Sequence, residues 1–230
     1  MSLFDIKYDL KKDLDNYGYS FIKRRFPNYG RADFDTAPYL WPDIKKSVLE
    51  ADESDKLKII KKYLLKNFSN KEIINLCITA VTNYWSSIES AYIDKLCKYM
   101  GVAQKIPKIN VFITTLSICP YNTKENYFYI PFFASFVVQA KIIMHESMHL
   151  AFRYNYEEYL SSKGVDEQGI LEITEALTVL LNWEFREFML IPEYNNKPTS
   201  QDLQKEVVAL YKKKKSFKDI LDRLIELRVS

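Results

Sequence analysis

Histidine, glycine and cysteine are all scarce in this 230-residue sequence, which contains two histidines, five glycines and three cysteines. The low glycine content favours a helix-rich protein, because glycine serves mainly in turns. Cys77, Cys97 and Cys119 are odd in number and far apart. That arrangement excludes a disulfide framework and lacks the two-residue spacing of a zinc knuckle or a redox pair. We therefore interpret the cysteines as reduced, buried thiols.

An excess of charge of either sign is also lacking, since 33 basic residues nearly balance 30 acidic ones. The chain has neither an acidic tail nor a broadly basic surface, so nucleic acid is not an expected partner. The sequence shows no charged-then-apolar leader and no apolar run of membrane-spanning length. We therefore predict a cytoplasmic protein without a membrane partner.

The first part of the chain has mainly helical patterns. Apolar residues recur at three- and four-residue spacing between residues 3 and 26, which predicts an opening amphipathic helix. Prolines and aromatic residues then mark a loop. Helical spacing resumes over residues 54–68 and again from about residue 70 to Met100. We therefore predict an N-terminal helical region over residues 1–105.

The pattern changes after Pro107. β-Branched and aromatic residues predict two short strands, at residues 109–115 and 126–130, joined by a turn region. Helical patterns follow at residues 134–154, 168–190 and 201–228. The predicted fold class is α+β and mostly helical, with a core over residues 106–195 and a C-terminal helical extension over residues 196–230. All three regions are expected to form one compact unit.

Both histidines of the chain lie in one pentapeptide, His145-Glu146-Ser147-Met148-His149, inside a predicted helix. Residues four apart on an α-helix are offset by only about 40°, so both imidazoles project from one face and can bind one metal ion. Glu146 lies beside that face, where it can accept a proton from water on the metal. This H-E-x-x-H pattern is typical of zinc-dependent hydrolases. The competing interpretation, an ordinary pair of core histidines, requires partners for two imidazoles in an apolar helix.

A third protein ligand is needed if water is to occupy the fourth position on the metal, and no histidine remains to supply it. Glu157 and Glu158 follow too soon, because a continuous helix would place them about 12 Å beyond His149. Glu172 and Glu175 are better placed, on the next helix after a reversal of the chain. Since they lie three residues apart, one can ligate while the other supports a ligand.

An H-E-x-x-H helix followed by a second helix with a ligand glutamate resembles the gluzincins, the thermolysin-like branch of zinc peptidases. The segment Thr174-Glu175-Ala176-Leu177-Thr178-Val179 is similar to the Asn-Glu-Ala-Ile-Ser-Asp sequence of thermolysin. The resemblance covers about residues 109–185. It implies a zincin-like core with a small mixed sheet, an active-site helix and a glutamate-bearing helix. It also implies Zn²⁺ bound by His145, His149 and Glu175, a peptide or protein substrate, and Glu146 as general base.

Two features depart from that family's pattern. The segment between the motif and Glu175 is longer than in thermolysin, and Val179 replaces a carboxylate that orients a histidine ligand in the family. Another group, Glu172, Thr178 or Asn182, would take that role. The family also binds an extended peptide along an edge strand, for which residues 126–130 are the candidate.

Hydrolysis of a peptide further requires a group that stabilises the oxyanion, and a tyrosine can serve. The candidates near the metal-binding helices are Tyr154, Tyr156, Tyr159 and Tyr194.

Two alternatives remain open from the sequence. Peptide deformylases also use H-E-x-x-H, with a cysteine as third ligand, and Cys119 is the corresponding thiol; the glycine-rich segment of that family is absent. The second alternative is a non-catalytic protein, in which zinc stabilises a helical interaction or regulatory domain.

Overall fold

A computed structural model describes residues 2–22, 37–68, 71–103, 106–193 and 200–229. Within these ranges the chain is mostly helical and contains one small mixed β-sheet, which confirms the predicted α+β class. None of the helices in this part of the chain combines the length and apolar character needed to cross a membrane.

The sheet has four strands: β1 (Phe4–Tyr8), β2 (Ile109–Thr114), β3 (Tyr121–Asn122) and β4 (Tyr127–Pro131). Their order is β1-β2-β4-β3. β2 runs parallel to both β1 and β4, whereas β3 is antiparallel to β4. β2 is buried at five of its six positions, which accounts for its run of β-branched and aromatic residues.

The predicted opening helix over residues 3–26 is wrong at its start, where β1 forms instead. Phe4 pairs with Ile109 and Ile6 with Val111, so hydrogen bonding to a distant strand overrides the local helical spacing. The helix begins only after Asp9, whose carboxylate accepts hydrogen bonds from two backbone N–H groups of α1 (Leu10–Asn16). A π-helical turn, Tyr17–Ile22, follows directly.

The segment predicted as a peptide-binding edge, residues 126–130, does not lie at the edge of the sheet. β4 has β2 on one side and β3 on the other, where Tyr121 pairs with Phe128. The edge strand on that side of the sheet is therefore β3, which forms from the region predicted as a turn. Its two residues are too few to give a periodic signal in the sequence.

A buried carboxylate attaches α1 to the end of β2. Asp13 accepts hydrogen bonds from the hydroxyls of Thr114 (2.7 Å) and Thr115 (2.9 Å), and from the backbone N–H of Thr115 (3.0 Å). Asn16 donates to the Thr114 hydroxyl (3.0 Å). Burial raises the pKa of Asp13 above its usual value, although these hydrogen bonds act in the opposite direction.

The remaining helices follow the sequence predictions in type and approximate position, except the first, Pro42–Glu50, which forms in a stretch for which no helix was predicted. They are α2 (Pro42–Glu50), α3 (Glu53–Asn67), α4 (Lys71–Met100), α5 (Phe136–Ser162), α6 (Glu167–Leu177), α7 (Gln201–Lys212) and α8 (Phe217–Val229). The predicted helix over residues 168–190 is shorter than expected. After α6 the chain continues as two short 3-10 helices, Thr178–Asn182 and Arg186–Phe188.

The chain divides into two compact units. The first comprises Met1–Tyr84 and Lys108–Gln139, and the second comprises Trp85–Pro107 and Ala140–Ser230. This division differs from the three consecutive regions predicted from the sequence. Two of the three boundaries fall inside α4 and α5, long helices whose continuous patterns contain no linker signal, and the third lies between Pro107 and Lys108, just before β2.

Candidate metal centre

The H-E-x-x-H pentapeptide lies in the middle of α5, as predicted. Every residue from 146 to 153 is buried, so this helix is covered on all sides rather than along one stripe. The buried Tyr92 hydroxyl on α4 donates a hydrogen bond (2.8 Å) to the carbonyl oxygen of Met144, next to the motif. Packing around the motif holds the two imidazoles close together, with their Nε2 atoms 2.7 Å apart.

The end of α5 contains the turn that returns the chain. Gly164 has a φ of +86°, and its N–H donates to the carbonyl of Ser161 (3.0 Å), while the N–H of Val165 donates to Leu160 (3.1 Å). This pair of hydrogen bonds is the Schellman motif, which favours glycine because the left-handed conformation strains other residues. The chain therefore reverses within a few residues of α5.

The next helix begins at once, with Asp166 as its cap. The Asp166 side chain accepts a hydrogen bond from the N–H of Gly169 (2.8 Å). A Cβ atom on Gly169 would lie 2.8 Å from Val165 Cγ1 and 3.1 Å from Asp166 Oδ1. Only glycine fits this close approach without displacement of its neighbours.

We expect Gly169→Ala to lower the free energy of unfolding by about 1–2 kcal/mol, because overpacking outweighs the better helix propensity of alanine. Gly18→Ala is the matched control, since a Cβ there would meet Leu57 at an ordinary 3.6 Å. Urea unfolding followed by circular dichroism measures both effects. Equal destabilisation by the two substitutions would contradict the packing argument.

α6 brings Glu175 to the two histidines. Its Oε2 lies 3.8 Å from His145 Nε2 and 3.8 Å from His149 Nε2. A circle through these three atoms has a radius of about 2.0 Å, so one point lies within a zinc–nitrogen or zinc–oxygen bond length of all of them. His145, His149 and Glu175 can therefore hold one metal ion.

The negative charge around this buried cluster favours a cation. His149 and Glu175 are almost fully buried, with exposed fractions of 1% and 3%. Burial lowers the pKa of His145, but neighbouring carboxylates, Glu193 first and then Glu146, outweigh it and raise that pKa above its usual value. The same negative field, to which Glu146 contributes, attracts a divalent cation.

A buried arginine connects the two helices that carry the cluster. Arg153, one turn after His149, pairs with Glu167 in the first turn of α6 (2.7 Å) and with Glu157 on its own helix (2.8 Å). Glu157, excluded above as a ligand, thus has a different role. The arginine joins the start of α6 to α5 and so helps to align Glu175.

The side chains considered above as alternative metal ligands, or as groups that orient a ligand, have partners other than the two histidines. Glu172 pairs with Arg228 of α8 (2.6 Å), and Thr178 donates to the backbone carbonyl of Glu175 (2.7 Å). Cys119 is not a member of the cluster, and its thiol donates to the carbonyl of Ser117 (3.8 Å). Of the two glutamates that remained open from geometry, the structure brings Glu175 to the histidines.

The four tyrosines named as candidates to stabilise an oxyanion differ in their hydrogen bonds and in their exposure to solvent. Tyr156 donates its hydroxyl to the carbonyl of Met100, and Tyr159 donates to Asp222 (3.2 Å). Tyr154 is 58% exposed. Tyr194 lies outside the described residues. The contacts of Tyr156 and Tyr159 give these two hydroxyls roles in packing α5.

One carboxylate of the site was not anticipated from the sequence. Glu193 is buried, and its Oε1 lies 3.7 Å from His145 Nδ1, while its Oε2 lies 3.5 Å from Lys141. Burial raises the pKa of Glu193, but His145 and Lys141 outweigh it and lower that pKa below its usual value. The only signal in the sequence was an acidic residue directly after Pro192, between two predicted helices, which is not specific.

Comparisons with protein-family models, with curated proteins and with solved structures found no match to this chain. The resemblance to gluzincins therefore stays a prediction from the local sequence motif.

Proposed function

We propose that this protein is a zinc-dependent peptide hydrolase in which His145, His149 and Glu175 hold the metal and Glu146 is the general base. The observation that carries the proposal is the triangle of ligand atoms, with one point about 2.0 Å from each atom, next to a buried glutamate in the H-E-x-x-H position.

The donor set supports zinc over the alkaline-earth ions. Two imidazole nitrogens and one carboxylate suit zinc, whereas Mg²⁺ and Ca²⁺ prefer oxygen ligands alone. Two histidines and a carboxylate also occur around non-haem iron. Zinc is favoured here because Glu146, adjacent to His145, is the residue that a hydrolytic site requires and that an oxygenase does not.

Glu146 carries the proton transfers of the proposed reaction. When bound, zinc supplies a Lewis acid and a water of lowered pKa. Glu146 takes the proton of the attacking water and delivers it to the departing amine, so that one carboxylate serves as base and then as acid. Burial of Glu146 limits its exchange with bulk water and holds it beside His145. The substrate in this proposal is a peptide or an unfolded segment of protein.

The alternative is a zinc-stabilised interaction or regulatory protein without catalytic activity. The burial of His149 and Glu175 favours this alternative, because structural zinc sites are closed to solvent. The side chain of His145 is 15% exposed, however, so one of the three proposed ligands is partly accessible to solvent. Activity measurements separate the two functions.

Purified protein is expected to contain about one zinc per chain, since a single three-ligand site is proposed. Dialysis against a chelator should remove the metal and abolish cleavage of a mixed fluorogenic peptide library, and added Zn²⁺ should restore both. Elemental analysis by mass spectrometry measures the metal. Iron in place of zinc, or cleavage that survives complete removal of the metal, would contradict the proposal.

A further inference from the structure

We infer that Glu193 is a positioning residue for the metal ligand His145 and that Asn182 holds Glu193 in place. The inference rests on the proposed zinc site but not on hydrolysis. It assigns roles to two residues outside the motif and its glutamate.

The contact lies on the side of the imidazole that faces away from the cluster. Glu193 Oε1 is 3.7 Å from His145 Nδ1, while His145 Nε2 faces His149 and Glu175. A carboxylate near Nδ1 favours the tautomer with the proton on Nδ1, which leaves the lone pair of Nε2 for a metal. It also restricts rotation of the ring, so His145 needs less reorganisation to ligate.

Asn182 fixes the backbone from which that carboxylate projects. Its side-chain amide donates to the carbonyl of Glu193 (2.7 Å), and its side-chain oxygen accepts the N–H of Glu193 (2.7 Å). Two hydrogen bonds from one side chain determine both the position and the orientation of the peptide. They close the intervening segment into a loop that ends at the metal cluster.

The chain segment from α6 to Glu193 therefore contains both the proposed ligand Glu175 and the carboxylate that positions the ligand His145. Asn182 ends the 3-10 helix Thr178–Asn182, which continues directly from α6 and Glu175. Phe185, within the loop, is fully buried. Anchored by Phe185 and by the two hydrogen bonds of Asn182, the loop holds Glu193 with little freedom.

An alternative role for Glu193 is a simple ion pair with Lys141, one turn before His145 on α5. The two contacts use different oxygens, since Oε2 faces Lys141 (3.5 Å) and Oε1 faces His145 (3.7 Å). Loss of Lys141 therefore removes the ion pair and leaves the carboxylate beside the imidazole. This difference allows the two roles to be separated by substitution.

The first measurement is zinc affinity, by competition with a chromophoric chelator. Glu193→Ala is expected to weaken zinc binding by about 10- to 100-fold, the range for groups that orient metal ligands. Glu193→Gln keeps an acceptor without the charge and should show a smaller loss, and Asn182→Ala should also weaken binding. Glu187→Ala is the matched control on the same loop and should bind zinc as the unaltered protein does.

The second measurement detects the histidine directly. Because the chain has only two histidines, long-range ¹H–¹⁵N spectra of the zinc-bound protein contain only two imidazoles. His145 should show a protonated Nδ1 and a metal-bound Nε2, and Glu193→Ala should broaden or shift its Nδ1 signal. If the role of Glu193 were purely structural, Glu193→Ala would lower stability without changing the Nδ1 signal of His145.

Two results would overturn the inference: zinc affinity within about threefold of normal in Glu193→Ala, or a loss in Lys141→Met as large as in Glu193→Ala. Both tests measure metal binding, so they give a result whether or not the protein cleaves peptides. Failure of the unaltered protein to bind zinc would overturn this inference and the proposed function together, whereas zinc binding without hydrolysis would contradict only the latter.

Discussion

Glu146→Gln is expected to slow peptide hydrolysis by a factor of about 10²–10⁴, the usual contribution of a general base. The amide cannot accept the proton of the attacking water, but it has the same size and shape as the carboxylate. Because His145, His149 and Glu175 remain, zinc content and thermal stability should stay close to those of the unaltered protein. Steady-state cleavage of a fluorogenic peptide, with elemental analysis of the same sample, measures both properties.

The matched control is Glu158→Gln, an exposed glutamate on the same helix. It makes the same chemical change outside the cluster, so hydrolysis should be unaffected. Full activity in Glu146→Gln would contradict the proposed mechanism. If neither the unaltered protein nor any variant cleaves peptides while all bind zinc, the non-catalytic alternative is favoured.

The second large effect is expected from Glu175→Gln, which removes the only carboxylate in the cluster of ligands. Zinc binding should weaken by more than about 100-fold, which exceeds the loss from groups that merely orient ligands. Glu172→Gln, three residues earlier on α6, is the comparison. Glu172 pairs with Arg228 instead, so its loss should lower stability and leave zinc bound.

Thermal unfolding with and without zinc provides an independent readout. A ligand at 100 times its dissociation constant adds about 2.7 kcal/mol to the free energy of unfolding. The unaltered protein and Glu172→Gln should both melt at a higher temperature when zinc is added, whereas Glu175→Gln should not. Loss of zinc from Glu172→Gln alone would show that the wrong glutamate was chosen.

The motif helix could be predicted from the sequence because its signal is local. Spacing of four residues places His145 and His149 on one face of any α-helix, whatever surrounds it. The choice between Glu172 and Glu175 required the family resemblance, since both lie on the next helix and three residues apart. The structure places Glu175 at the histidines and pairs Glu172 with α8.

The first strand could not be predicted in the same way. Phe4 and Ile6 fit a helical pattern with the residues that follow, and only their pairing with Ile109 and Val111 makes them a strand. That pairing joins residues more than one hundred positions apart. A local window contains no trace of it.

The position of Glu193 at the candidate metal centre also depends on contacts between distant residues and could not be predicted from local sequence. It lies 18 residues beyond Glu175 and reaches His145 because Asn182 binds its backbone. Asn182 is one of three residues that the sequence offers as a direct support for a ligand, whereas in the structure it binds the backbone of Glu193 and reaches His145 only through that residue. The residue type was informative, but its partner depended on how the loop folds.

By itself, the sequence determined the helical character of most of the chain, the pair of imidazoles on one helix face and the short set of glutamates able to join them. Those features depend on spacing along a regular helix, and that spacing is a property of the local chain. Only the tertiary structure decided which glutamate reaches the histidines, which strands pair and which carboxylate faces Nδ1 of His145. These outcomes depend on contacts between distant segments, which form when buried surfaces pack and buried polar groups find partners.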